Sequence, residues 1–228
     1  MTSRLCLNQQ RTLFLLKSNM QLVINPDHTK KQGIYAVSAR AKRSDIPLAA
    51  RMVAYCDESE EEWAAKYDIK AWAMAQAQLC ESTRPLRIFV VHPSLLEGNP
   101  KNAKFPARAI FNPVILEAEK ELITYKNVRK TVTNAKTGRR EIHDRVPERC
   151  ASPNIFEPEE GCMSFTHRKP KKVQRVFRMT VRYWYPRRIL GFWVLWRVTE
   201  QIEGLKSQIF QHELQHMEGQ NIFHAKQS

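Results

Sequence analysis

The chain has 228 residues, enough for one domain with extensions or two small ones, and its 37 Lys and Arg against 23 Asp and Glu give a formal charge of +14. Mean hydropathy is −0.51 and no apolar run approaches the roughly 20 residues of a spanning helix, so the chain reads as soluble. Five cysteines, odd in number and widely spaced, exclude a disulfide framework and point to a reducing intracellular compartment. The charge fits a polyanionic neighbour (RNA, a ribosome, an anionic membrane surface), or a generally basic organelle protein.

The first two dozen residues set Arg4, Arg11 and Lys17 among Leu5, Leu7, Leu13, Phe14, Leu15 and Leu16, with no acid before Asp27. Basic, hydroxylated and acid-free, this stretch has the composition of a mitochondrial transit peptide. With the basic linker after it, it is read as a leader over 1–44. Ala49 to Tyr55 is compatible with a helix. Ser59 is an expected N-cap for a second helix through Tyr67, with Glu60, Glu61 and Glu62 in its first turn.

Ala71 to Gln78 alternates small residues with glutamines and predicts a short strand or a tight helix–sheet contact. Strands are expected over Arg87–Val91 and from Phe105 to Ile115. Pro113 lacks an N–H, so the second should be an edge strand or bulged there. Residues 126–157 read as a basic insertion, solvated or touching a polyanion, with a hairpin tip at Asn134–Arg140. Arg168 to Arg188 holds nine basic residues and no acid, in a pattern of strands. Ile189 to Trp196 is the densest apolar run and predicts a buried strand within Arg188–Val198.

The last element is a helix, with Thr199 as expected N-cap and Gly219 as stop. Ile202, Leu205, Ile209, His212 and His216 fall on one stripe. Residues 211–216 read Gln-His-Glu-Leu-Gln-His. Histidines four apart share a helix face, so His212 and His216 can hold one metal ion, with Glu213 beside them as general base. A catalytic metal usually takes a third protein ligand. Cys162, after Glu160-Gly161, is the candidate, because a thiolate binds zinc or iron(II) readily.

Glu160-Gly161-Cys162-Met163-Ser164 followed by Gln211-His212-Glu213-Leu214-Gln215-His216 resembles the E-G-C-L-S and Q-H-E-x-D-H motifs of peptide deformylases. Phe111-Asn112-Pro113-Val114-Ile115 is similar to the family's I-N-P-x-I strand, and Val173-Gln174-Arg175 to its V-x-R segment. The first motif, G-x-G-L-A-A-x-Q, has diverged: Ala71 and Ala73 stand for the glycines and Gln76 for the second alanine, while Gln78 is kept. Gln215 replaces the aspartate of the last motif.

The resemblance implies an α+β fold, with mixed or antiparallel sheets around a C-terminal helix carrying the histidines, over a domain 45–224. It implies one Fe²⁺ or Zn²⁺ on Cys162, His212 and His216, with Glu213 moving the proton. Gln78 and the Met163 N–H would stabilise the oxyanion, and Gly161 and Ala73 would hold the peptide. The substrate would be the N-formylmethionyl end of nascent chains. The basic surface adds the ribosome and its RNA near the exit tunnel as the expected partner, and the basic, acid-free N-terminus adds the mitochondrion as the expected compartment. Two other readings stay open from the sequence: a non-catalytic deformylase-like component of a ribosome or assembly, favoured by the altered first motif, and a metallopeptidase.

Overall fold

The computed structural model describes residues 20–23, 34, 36–67, 73–79, 84–97, 105–133, 136–138, 140–166 and 168–223. The leader's first 19 residues lie outside this set, as do Ala71 and the side chains of 124–132 and 140–148, which carry most of the insertion's charge.

The centre is a five-stranded antiparallel sheet in the order β1 (Ala73–Ala75), β2 (Ile88–Val91), β3 (Ala109–Ala118), β10 (Arg178–Ile189), β11 (Phe192–Glu203). Helix α1 (Ile46–Tyr67) covers one face and α3 (Gly204–Met217) the other; a single turn, α2 (Ser94–Glu97), follows β2. The period-2 alternation of strand side chains explains why all four β2 residues are buried. Ile88 and Val90 join Met52, Cys56 and Trp63 of α1 in one core, and Phe89 and Val91 join Phe210 and Leu214 of α3 in the other.

Helix α1 is one helix, not two. Ala49, Met52, Cys56 and Trp63 are all buried at helical spacing, so the packed stripe runs straight past Ser59 and overrides its capping preference. A short 3-10 turn precedes it, where the Asp45 carboxylate accepts the Lys42 N–H at 2.6 Å. The folded unit begins upstream of residue 45. Met20, Leu22 and Ala41 belong to the α1-side core, and the Tyr55 hydroxyl accepts the Leu22 N–H at 3.0 Å.

Pro113 sits in a central strand, and the bulge resolves the conflict: residues 112 and 113 fall between the pairs Phe111–Trp184 and Val114–Arg182. Asn112 there takes φ 47°, which asparagine tolerates better than most residues. Its side chain accepts the Ala41 N–H at 2.7 Å and donates to the Ala41 carbonyl at 2.8 Å, fixing the incoming chain.

The insertion is a long two-stranded ribbon rather than a loop: β4 (Glu121–Thr133) pairs with β5 (Arg140–Pro153), turning at Lys136–Gly138. A two-stranded ribbon has only edges, so Pro147 is accommodated opposite Asn127. Short pairs follow: β6 (Ile155–Phe156) with β9 (Arg175–Val176), and β7 (Glu159–Glu160) with β8 (Lys171–Lys172). They bring Glu160 and Arg175 beneath α3.

The apolar run Ile189–Trp196 is the clearest correction. It is not one buried strand: Leu190 and Gly191, at φ 48° and 85°, form a hairpin turn that joins the end of β10 to the start of β11, and the flanking residues are paired strand at the exposed tip. Leu190 is 93% exposed and Phe192 66%. Two central residues at positive φ make a type I′ turn, where Asn-Gly is usual; leucine there costs about 1 kcal/mol of backbone strain.

Helix α3 likewise starts later than the Thr199 cap suggested. Thr199 to Glu203 complete β11, paired with β10, and Gly204 at φ 58° turns the strand into the helix. Gly219, at φ 71°, ends it as expected, and the Gln220 N–H returns to the Gln215 carbonyl at 2.8 Å.

Candidate metal centre and catalytic site

One turn of α3 presents His212 and His216 to the segment that follows β7. The Nε2 atoms of the two histidines are 3.3 Å apart, and Cys162 Sγ is 3.3 Å from His216 Nε2. All three donor atoms lie within 4.8 Å of one another. A tetrahedral ion with ordinary bond lengths puts two nitrogens about 3.3 Å apart, and a nitrogen and a sulfur about 3.6 Å apart. The donor set and its spacing therefore fit one divalent transition ion.

The histidines are held in binding form. Glu160 Oε2 lies 3.0 Å from His212 Nδ1, which places the proton on Nδ1 and leaves Nε2 to face the other donors. Burial disfavours a charged His212, yet its bonds to Cys162 and Glu160 push its pKa up to about 10; an ion takes that proton's place. His216 is 1% exposed and stays neutral, its pKa driven well below the usual value by burial and by the charge of His212.

Glu160 is itself braced. Arg175 donates to both its oxygens, at 2.7 and 2.6 Å, in a pair that is almost fully buried. Burial alone would raise the Glu160 pKa, but Arg175 and His212 bring it below the usual range. Arg175 also donates to Gln215 Oε1 at 2.9 Å, so Gln215 joins this brace as a neutral acceptor where an aspartate would add a second negative charge. Gln211 anchors the same turn by accepting the Val176 N–H at 3.1 Å and donating to the Val176 carbonyl at 2.9 Å.

Glu213 is 2% exposed, and its Oε2 has no hydrogen-bond partner among the described residues. Burial raises its pKa to about 7, against the pull of His212 and the Ala75 backbone. A buried carboxylate with a free oxygen and a pKa near neutrality is suited to take and return a proton. A cation beside it would favour its charged form.

Gln78 completes the corner. Its Oε1 accepts the Ala75 N–H at 2.8 Å, which turns its amide N–H₂ toward Ser164 Oγ at 3.1 Å and Cys162 Sγ at 3.9 Å. The donor is thus held beside Ser164 and faces the candidate ligand Cys162. Met163 follows Cys162 and opens a 3-10 turn, buried, with Phe165 N–H closing on the Cys162 carbonyl at 2.9 Å. Gly161 is exposed, and a Cβ built on it would meet nothing nearer than Pro170 Cγ at 3.8 Å, so the glycine leaves room on the open side. Ala73 lies on β1, the sheet's edge strand.

The structure therefore gathers Gln78, Cys162, Met163, His212, Glu213 and His216 in one corner, with Gly161 exposed beside Cys162, while Ala73 packs against the α3-side core from β1. Sequence reasoning missed the bracing by Glu160, Arg175 and Gln211. Each lies inside a quoted motif segment; a buried ion-pair partner for a ligating histidine was the signal available.

A Cys-His-His centre with a buried glutamate on an α+β scaffold defines the class: a metal-dependent hydrolase. The polypeptide deformylase model matches residues 20–228, and the chain belongs to that family. Members are metal-dependent enzymes acting on formylated nascent peptides, and this chain is an enzyme of that type. Solved structures share the fold. A class I type b peptide deformylase from Acinetobacter baumannii, bound to Met-Ala-Ser, is 17% identical with TM-score 0.53 over 90% of this chain and 96% of its own. A deformylase from a Vibrio parahaemolyticus bacteriophage, in complex with actinonin, is 16% identical with TM-score 0.52 over 89% and 100%. A mutant of Arabidopsis thaliana deformylase 1B is 18% identical with TM-score 0.51 over 90% and 79%. No curated protein matches the chain.

Proposed function

We propose that this deformylase works with Fe²⁺ or Zn²⁺ held by Cys162, His212 and His216, on the N-formylmethionyl end of peptides. Bound there, the ion supplies a Lewis-acid centre and lowers the pKa of a water molecule. Glu213 takes a proton from the attacking water as the water oxygen adds to the formyl carbon. Glu213 then returns the proton to the nitrogen as the C–N bond breaks, leaving formate and a free amine. The Gln78 side-chain amide and the Met163 N–H donate to the oxygen that gains charge. The peptide backbone lies along the edge of β1, over Ala73, with Gly161 giving it space on the other side. The observation that carries this reading is the convergence of three donor atoms within 4.8 Å beside buried Glu213. The Met-Ala-Ser in the Acinetobacter structure supports a short methionyl peptide as the ligand of the shared fold.

The test is formate release from formyl-Met-Ala-Ser by the Fe²⁺-loaded chain. Release above a metal-stripped control is expected; none above it would defeat the assignment. The composition of residues 1–24 supports a mitochondrial address, and the charge of +14 supports docking near ribosomal RNA. A fluorescent protein carrying residues 1–40 should enter mitochondria, and the chain should co-sediment with ribosomes at low but not high salt.

A further inference from the structure

We propose that the tip of the β10–β11 hairpin is a membrane wedge that inserts shallowly into an anionic lipid bilayer. This goes beyond the deformylase reading and does not rest on it. Residues opposite one another in an antiparallel pair share a face. One face of the ribbon therefore carries Ile189 and Phe192, Arg187 and Val194, Tyr185 and Trp196; the other carries Arg188 and Trp193, Pro186 and Leu195. The first face continues inward to Tyr183, which packs on Phe210 of α3, and the second to Trp184, which packs on the α1-side core. Tyr185 and Leu195 still pack against the two cores; beyond them the tip carries Ile189, Phe192 and Val194 on one face and Trp193 on the other. Leu190 at the apex is 93% exposed, and Phe192, Trp193 and Trp196 are 66%, 50% and 45% exposed.

Two features select a bilayer. An interface with one protein partner needs one apolar face, whereas a ribbon apolar on both sides suits a medium that surrounds it. The charge is complementary as well: Arg187 and Arg188 flank the tip, and no acid occurs between Glu160 and Glu200. Arg187 stacks on Trp196, its guanidinium 5.0 Å from the ring centroid. Two or three residues of strand separate Leu190 from Arg188 and Arg187, about 7–10 Å, which matches the depth at which interfacial segments sit with arginines at the headgroups. The unpaired outer edge of β11 limits the ribbon to that depth. The turn itself is informative. Leucine occupies a left-handed position where asparagine would relieve the backbone, and strain held at an exposed site is accounted for by a role outside the fold.

The experiment uses the full chain, floated with vesicles of phosphatidylcholine alone or with phosphatidylglycerol. The wild type should float with the anionic vesicles and not with the neutral ones. Leu190→Asn should raise or preserve Tm while weakening vesicle binding about tenfold. Arg187→Gln and Arg188→Gln should each weaken it about fivefold. All three variants should keep wild-type formate release from soluble peptide. A chain that ignores anionic vesicles, or a Leu190→Asn variant that floats like wild type, overturns the proposal. So does a tip whose substitution abolishes poly(uridine) binding or self-association while vesicle flotation is unaffected.

Discussion

The two sides of the active corner have been treated differently by sequence change. On the metal side, Cys162, His212, Glu213 and His216 match the family motifs and are cross-braced through Glu160 and Arg175. On the substrate side, the first motif has alanine in place of both glycines, at positions 71 and 73, and Gln76 in place of its second alanine. The difference shows which substitutions the site can absorb. Gln76 is buried, but its Oε1 turns aside to accept the Leu86 N–H at 2.8 Å. The residue that looked like damage to the motif therefore serves the scaffold, while Gln78, two residues on, still aims its amide at the cysteine. A non-catalytic role would leave this aim without a purpose.

Four substitutions sharpen or break that contrast. Cys162→Ala should have the largest effect, abolishing both stoichiometric metal, read by elemental analysis, and formate release. If the variant binds metal like wild type, the sulfur is not a ligand. Gln78→Ala should lower kcat by about 10²–10³ with metal retained, as loss of one oxyanion donor does. Glu160→Gln should weaken metal affinity about 10–100-fold, because the proton on His212 Nδ1 loses its acceptor charge. It should also reduce stability by several kcal/mol, because Arg175 is left buried without its partner. Ala73→Gly should be the mildest, lowering KM a few-fold at unchanged metal content. An unchanged KM would mean that the peptide does not approach β1 at Ala73.

The metal corner was legible because its residues come in two short runs, 161–164 and 211–216, where helical spacing alone brings the histidines together. The bracing was not, since Arg175 reaches Glu160 only through the β6–β9 and β7–β8 pairs. Where local signals misled, packing had the last word. Ser59 offered a cap, but the buried stripe from Ala49 to Trp63 carried α1 through it. Ile189–Trp196 read as core because a continuous apolar run does not reveal which neighbours cover it, and here the ribbon outruns both helices. Pro113 announced a defect correctly, and Asn112 beside it supplied the bulge.

In the proposed mechanism Glu213 moves the proton while other residues hold the metal. Glu213→Gln, loaded with Fe²⁺, separates the two on one sample. Wild-type metal content is expected, with formate release reduced about 10³-fold or more. Formate release near the wild-type rate with the metal in place would contradict that mechanism.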